Sequence, residues 1–367
     1  MADAEVIHLG TRGRPGRGSG RGTPSAAARS LAATTRTRPG RGDSPRPDAA
    51  QDTTESAPAP LAEIFVERRG GRVGFDIAAA VANAAREVFG EGWEDSLADF
   101  LAFLRRRVTG DYDLDEFGFD PDLTSRLTMA TIRPLAERWF RVEVRGIENI
   151  PSDGGALLVS NHSGTVPIDG LVTGLVVHDH AARYLRLLGA DLVFRMPFVG
   201  EMARKSGATL ACSEDAERML SHGELVGVWP EGFKGVGKPF SERYMLQRFG
   251  RGGFVSAALR TRVPIVPCSI VGAEEIYPLV GNLPTLARLL GVPYVPITPF
   301  FPLLGPLGMI PLPSKWLIEF GEPIRTDSLT RDQAEDPMVV FNLTDQVRET
   351  IQQTLYTLLM QRRRVFF

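Results

Sequence analysis

Three short apolar runs, each closing on a polar, glycine-containing turn, constrain this 367-residue chain more than any other feature. Residues 156–159 run into Asn161-His162, residues 226–228 into Trp229-Pro230-Glu231-Gly232-Phe233-Lys234-Gly235, and residues 264–271 into Gly272. Apolar runs of this length, bounded by turn residues, read as buried strands. Between and after them, helical spacing over 170–178, 198–206, 215–222 and 253–260 alternates with the strands. The expected class is α/β: a mixed, largely parallel sheet flanked by helices. Chemistry in open sheets of this kind collects at the carboxyl ends of the strands, where the polar turns lie.

Upstream of the strands the composition changes twice. Residues 1–60 hold nine arginines and six acidic residues, with scarcely any large apolar side chain. Such a stretch buries too little surface to offset its ordering entropy, so a disordered Arg/Gly/Pro-rich tail is expected there. It reads as a solvated tail or as a loose contact for anionic lipid. No aromatic residue interleaves with the arginines of 12–46, which argues against nucleic acid as a partner. Residues 61–140 form an expected helical segment, with helices at 76–89, 94–107 and 122–140. Leu97, Leu101 and Leu104 recur at helical spacing in the second, and Leu123, Leu127, Ile132, Leu135 and Trp139 form a stripe in the third. Core packing and a membrane-surface role suit these stripes equally.

The remaining body, 141–367, ends in an amphipathic helix over 339–360, with Leu343, Val347, Ile351, Leu355 and Leu358 on one face. The following Arg362-Arg363-Arg364 either snorkels at an interface or frays. Residues 289–314 carry seven prolines and no charge, which forbids a helix or a central strand there. Its Pro299-Phe300-Phe301-Pro302-Leu303-Leu304 core either covers the interior or forms an apolar lip for bilayer or acyl chain. Cys212 and Cys268 are too few for a disulfide framework and read as buried free thiols of a reducing compartment. The first residues lack a signal-peptide pattern, and no window offers the about 18 apolar residues of a spanning helix.

Residue chemistry points to the first two turns. A histidine with a nearby carboxylate is either a satisfied structural pair or a general base with its orienting partner; His162 and Asp169 are the candidates. Gly232 and Gly235 expose backbone N–H groups, and Lys234 adds positive charge for an oxyanion or phosphate. Two other chemistries fail. The segment from Gly232 to Pro239 nearly spells a nucleotide P-loop, but Pro239 stands where the metal-binding hydroxyl would be. His178 and His180, two residues apart on a helix, point away from each other, so no metal site is expected. There is also no Gly-x-Ser-x-Gly nucleophile elbow.

The Asn161-His162…Asp169 loop, the Pro230-Glu231-Gly232-x-Lys234 turn and the Val263-Pro264-Ile265-Val266-Pro267 strand together resemble the glycerophospholipid acyltransferases. That resemblance spans roughly residues 141–325. Within it, Arg248-Phe-Gly-Arg-Gly-Gly-Phe254 and Gly272-Ala-Glu-Glu275 look most like the subgroup acylating neutral glycerolipids. The resemblance implies an O-acyltransferase that moves a fatty acyl group from acyl-CoA to a lysophosphatidate, lysophospholipid, mono- or diacylglycerol hydroxyl. His162 and Asp169 would be catalytic, and Asn161, Glu231, Gly232, Lys234, Arg243, Arg248 and Arg251 would bind substrate. It implies no cofactor beyond the co-substrate, a membrane surface as partner, and a cytoplasmic place at the inner face of a membrane. Two departures accompany it. The family places four residues between the histidine and the aspartate, whereas six stand between His162 and Asp169, with Pro167 at the usual acid position. Lys234 also replaces an arginine, and basic residues usual around the 195–200 turn are missing. A non-catalytic lipid-binding relative is the alternative.

Overall fold

The computed structural model describes residues 93–110, 112–162 and 165–366. Of these described residues, those up to Asp113 belong to one compact unit and those from Leu114 to another. The first contributes a helix, Trp93–Thr109, at the position expected for 94–107. Leu101 and Leu104 stand exposed on it, and the Arg107 guanidinium lies over the rings of Phe103 at 4.9 Å and Tyr112 at 4.4 Å. The expected 1–60 tail and the 76–89 helix lie outside the described residues. Among those described, no helix is long and apolar enough to cross a membrane.

The second unit opens with α1, residues 121–139, capped by the Asp120 carboxylate, which accepts the Leu123 N–H at 2.9 Å. α1 contains two stretches of π-type turns, Thr124–Met129 and Leu135–Trp139. Each wider turn breaks the 3.6-residue phase on which the expected stripe rested. Leu123 is buried and Ile132 and Leu135 pack on the core, but Leu127 and Trp139 face solvent; Met129, Ala136 and Phe140 fill the interior instead. α1 therefore shares the core of the sheet.

The main sheet has seven strands: β1 (Glu143–Arg145), β2 (Ala156–Ser160), β3 (Leu185–Gly189), β4 (Thr209–Leu210), β5 (Leu225–Val228), β6 (Ile265–Val271) and β9 (Leu317–Phe320), in the order β1-β9-β6-β2-β5-β3-β4. A separate hairpin pairs β7 (Gly281–Asn282) with β8 (Pro296–Ile297). All pairings in the main sheet are parallel except β6 with β9. The mixed, mostly parallel α/β sheet expected from the strand–helix alternation is the observed one. Its central strands are buried throughout, as parallel sheets covered on both faces require.

Side-chain alternation along β2 divides the core in two. Leu157 and Val159 meet α3 (Ser213–Ser221), α4 (Gly253–Thr261) and α5 (Pro337–Gln361). Ala156 and Leu158 meet α1 and α2 (Ile168–Ala181) on the opposite face. α5 begins as its sequence dictates: the Asp336 carboxylate caps Met338 N–H at 2.8 Å, with Pro337 in the first turn. All five apolar residues read from the 339–360 stripe are buried. The chain beyond α5 is held in place at Arg362 and Val365. Arg362 donates to Glu275 Oε2 at 2.7 Å in a pair whose side chains are 5% and 4% exposed, and Lys315 N–H donates to Val365 O. Cys268 is buried, which pushes its thiol up to about 12, whereas Cys212 is only half-buried and its Sγ lies 3.1 Å from Asp215.

Candidate active site

The site gathers beyond the carboxyl ends of β2, β5 and β6. β2 delivers Asn161 and His162. After a loop, α2 starts at Ile168 and carries Asp169 in its first turn. The imidazole Nδ1 of His162 lies 2.8 Å from Asp169 Oδ2, while Asp169 Oδ1 accepts its neighbour Gly170 N–H at 2.9 Å. Asp169 is fully buried and the His162 side chain is 14% exposed. The six-residue spacing therefore does bring the acid back to the ring. The loop is pinned from outside: Thr165 adopts φ +62°, strained for a β-branched residue, and its hydroxyl donates to Tyr277 O at 3.1 Å. The Tyr294 hydroxyl also donates to Thr165 O.

β5 brings the second turn against the first. Gly232 takes φ +55° and ψ −141°, a region essentially closed to other residues. Gly235 sits so close to the histidine that an added Cβ would lie 2.7 Å from His162 O and 3.1 Å from His162 Cβ. The Trp229 ring is tilted at 49° to the imidazole with centroids 6.0 Å apart, and its buried indole N–H has no partner among the described residues.

Two expected substrate ligands prove to be internal. Asn161 is fully buried, its Nδ2 donating to Ile270 O at 3.0 Å and its Oδ1 accepting Ile270 N–H at 2.8 Å. With both amide ends bonded to Ile270 of β6, it fixes the strand tip. Glu231 is likewise enclosed: Oε1 accepts His162 N–H at 2.8 Å and Oε2 accepts Gln247 N–H at 2.7 Å. Its carboxylate staples the histidine loop to the chain beyond the turn. Lys238, in the segment that nearly spells a P-loop, is the cation beneath it. Its Nζ lies 3.7 Å from Glu231, 3.1 Å from Glu274 and 3.0 Å from Met245 O, with 1% of the side chain exposed. No local signal marks Lys238 as buried, because Glu274 arrives from the far end of β6.

Of the remaining candidates, Lys234 is exposed in the short helix Phe233–Val236. Arg243 is exposed, lies over the Phe240 ring at 4.5 Å and donates to Phe240 O. Arg248 and Arg251 line a separate cavity beside α5. His178 and His180 occupy the last turn of α2, and no cluster of metal-ligating side chains occurs among the described residues.

Burial pushes both carboxylates of the Lys238 triad up, against the attraction of the ammonium: Glu231 rises above its ordinary value, and Glu274 reaches about 7 from 4.5. A raised folded value means that Glu274 holds a proton in the native state that the unfolded chain has lost. Its contribution is full below pH 4.5 and is lost as pH rises through about 7. A Glu274→Gln variant, which keeps the acceptor for Tyr244 N–H, should therefore gain in Tm relative to the wild type between those pH values and level off above. A difference in Tm that does not change with pH would contradict the assignment.

A family model described as Acyltransferase matches residues 141–271. An uncharacterized protein of Mycobacterium tuberculosis is 56% identical over 317 residues, covering 86% of each chain. The chain belongs to the acyltransferase family. The human "DGAT1/2-independent enzyme synthesizing storage lipids" is 29% identical over 205 residues, 55% of this chain and 60% of that one. Among solved structures, the 1-acyl-sn-glycerophosphate (LPA) acyltransferase PlsC from Thermotoga maritima aligns over 63% of this chain and 79% of its own, at 19% identity and a TM-score of 0.41.

Proposed function

We propose that this chain transfers a fatty acyl group from an acyl-CoA thioester to a glycerolipid hydroxyl, with His162 as general base oriented by Asp169. The supporting observation is the 2.8 Å contact of His162 Nδ1 with a fully buried carboxylate. That contact favours the tautomer with the proton on Nδ1 and leaves Nε2 basic. Nε2 takes the proton of the acceptor hydroxyl as its oxygen attacks the thioester carbonyl. The tetrahedral intermediate collapses to the new ester and expels the CoA thiolate, which takes the proton from the imidazolium. Because a thiolate leaves readily, no covalent enzyme intermediate is required. The buried Cys268 thiol, pushed up to about 12, is in any case no nucleophile. Trp229 keeps a buried, unspent N–H beside the imidazole, and the open backbone at Gly232 and the Lys234 ammonium add donors for developing negative charge.

A neutral mono- or diacylglycerol is the favoured acceptor, consistent with the storage-lipid name of the human relative. The deciding experiment is purified protein with labelled acyl-CoA and a panel of lysophosphatidate, lysophospholipid, monoacylglycerol and diacylglycerol. Transfer to a neutral acceptor that depends on His162 is the expected result. Transfer to none of the four would sink the enzyme reading and leave a lipid-binding relative.

The acceptor lives in a bilayer, and the uncharged 289–314 segment offers the contact. The short helix Gly305–Met309 and its flanks expose Phe300, Leu303, Leu304, Leu307 and Ile310, with Leu303 84% and Leu307 67% exposed. Polar clamps hold the segment from behind: the Tyr277 hydroxyl donates to Met309 O at 2.6 Å, Trp139 Nε1 to Pro311 O at 2.8 Å and Arg141 to Pro313 O at 2.8 Å. Burying a leucine contributes about 1.5–3 kcal/mol. A Leu303→Ser/Leu307→Ser variant should lose roughly tenfold or more in vesicle affinity by co-sedimentation, while retaining its fold by circular dichroism. Unchanged co-sedimentation would remove this segment from the lipid contact.

A further inference from the structure

We propose that the cavity between residues 248–252 and the first turns of α5 receives the nucleotide end of acyl-CoA, its 3′-phosphorylated ADP. This rests on the reading of the donor as a CoA thioester. The cavity measures about 260 Å³ and is lined by Arg248, Arg251, Phe341, Thr344, Asp345 and Arg348 among others. Three guanidiniums face one carboxylate, and that carboxylate, Asp345, lies 3.4 Å from Arg348. The net charge on the wall is positive. Guanidinium forks match phosphate oxygens two at a time, which ammonium groups do not.

The wall is built into the fold. Gly252 takes φ +75°, and an added Cβ would lie 2.5 Å from Val340 Cγ1 and 2.7 Å from Thr344 Oγ1, so only glycine lets the loop close on α5. At Gly250 an added Cβ would meet nothing within 4 Å, so the cavity is open to approach on that side. Phe341 presents a ring that is 58% exposed, an aromatic surface suited to stacking on a base. The loop is also tied to the catalytic turn. Gln247 N–H donates to Glu231 Oε2 at 2.7 Å, and Gly250 N–H donates to Pro230 O at 3.4 Å. A nucleotide held here anchors a substrate whose thioester reaches toward the turn carrying Glu231 and, through it, His162.

A lipid phosphate has the same charge chemistry, so the test separates the two sources. Adenosine 3′,5′-bisphosphate, glycerol 3-phosphate and inorganic phosphate are titrated calorimetrically into the full chain and its Arg348→Gln, Arg251→Gln and Phe341→Ser variants. The bisphosphate should bind the wild type, and each variant should weaken it about tenfold, the order expected for one charge-assisted or stacking contact. The KM for acyl-CoA should rise in parallel in Arg348→Gln with kcat retained. Arg325→Gln, the same charge change at an exposed site paired with Asp327, should leave both unchanged. Equal binding of the bisphosphate to wild type and variants overturns the cavity assignment. Glycerol 3-phosphate binding as tightly, with the same sensitivity to Arg348, overturns the nucleotide in favour of a lipid headgroup. Turnover of acyl-CoA with a KM indifferent to Arg348 removes the cavity and keeps the donor, whereas transfer from other thioesters only, with no bisphosphate binding, removes the donor and the cavity together.

Discussion

Acyl transfer is expected to fall by about 10²–10⁴-fold in a His162→Ala variant, the range for loss of a positioned general base. The fold should survive, because His162 is partly exposed and its contribution to the loop is the backbone N–H that Glu231 accepts, which alanine keeps. The companion change, Asp169→Asn, probes a different step. Asparagine preserves shape, but an amide turned toward Nδ1 to donate favours the tautomer whose proton sits on Nε2, the atom needed as base. A loss of order 10³–10⁴ in kcat is expected, with little change in KM. Because the two side chains act as one unit, the double variant should be scarcely worse than the more damaging single variant. Additive losses, or retained transfer in His162→Ala, would mean that another group removes the proton.

The largest stability effect is expected from Lys238→Met. Removing the ammonium leaves Glu231 and Glu274 facing each other beneath the active turn, with side chains 0% and 6% exposed. Breaking a buried ion pair by deleting one partner costs about 3–5 kcal/mol, since the remaining charge has neither water nor counter-ion. Urea denaturation should show that loss near neutral pH. Both carboxyls are already pushed up by burial, and without Lys238 they rise further. A raised folded value gives stability at low pH that is lost as pH rises, so the variant should recover part of its deficit on acidification toward 4.5. Adding Glu274→Gln to Lys238→Met should restore part of it at neutral pH. A Lys238→Met protein as stable as the wild type at every pH would show that the triad does not hold the turn.

The strand–helix alternation and the paired turns made the sheet class and the His162–Asp169 candidates legible, because periodicity and turn residues are local properties of the chain. Strand limits were close for the same reason: residues 156–159 and 264–271 were expected, and Ala156–Ser160 and Ile265–Val271 are observed. The α1 stripe misled because a π-type turn shifts the phase without leaving a mark in composition. Asn161 and Glu231 stand out in the sequence as polar residues at strand tips, but whether they face substrate or backbone depends on Ile270 and Gln247, which other elements deliver.

By itself the sequence determined which residue types stand at the ends of which strands, and hence the family and its acyl-transfer chemistry. Tertiary structure alone decided the rest: that a loop two residues longer than usual returns Asp169 to the imidazole, that Lys238 is buried between two glutamates, that Arg362 docks on Glu275, and that Arg348 of α5 faces Arg248 and Arg251 across a cavity. The physical reason is common to all four. Desolvation and charge pairing act between groups far apart in the chain, and their sign and strength exist only once folding has brought those groups within a few ångströms.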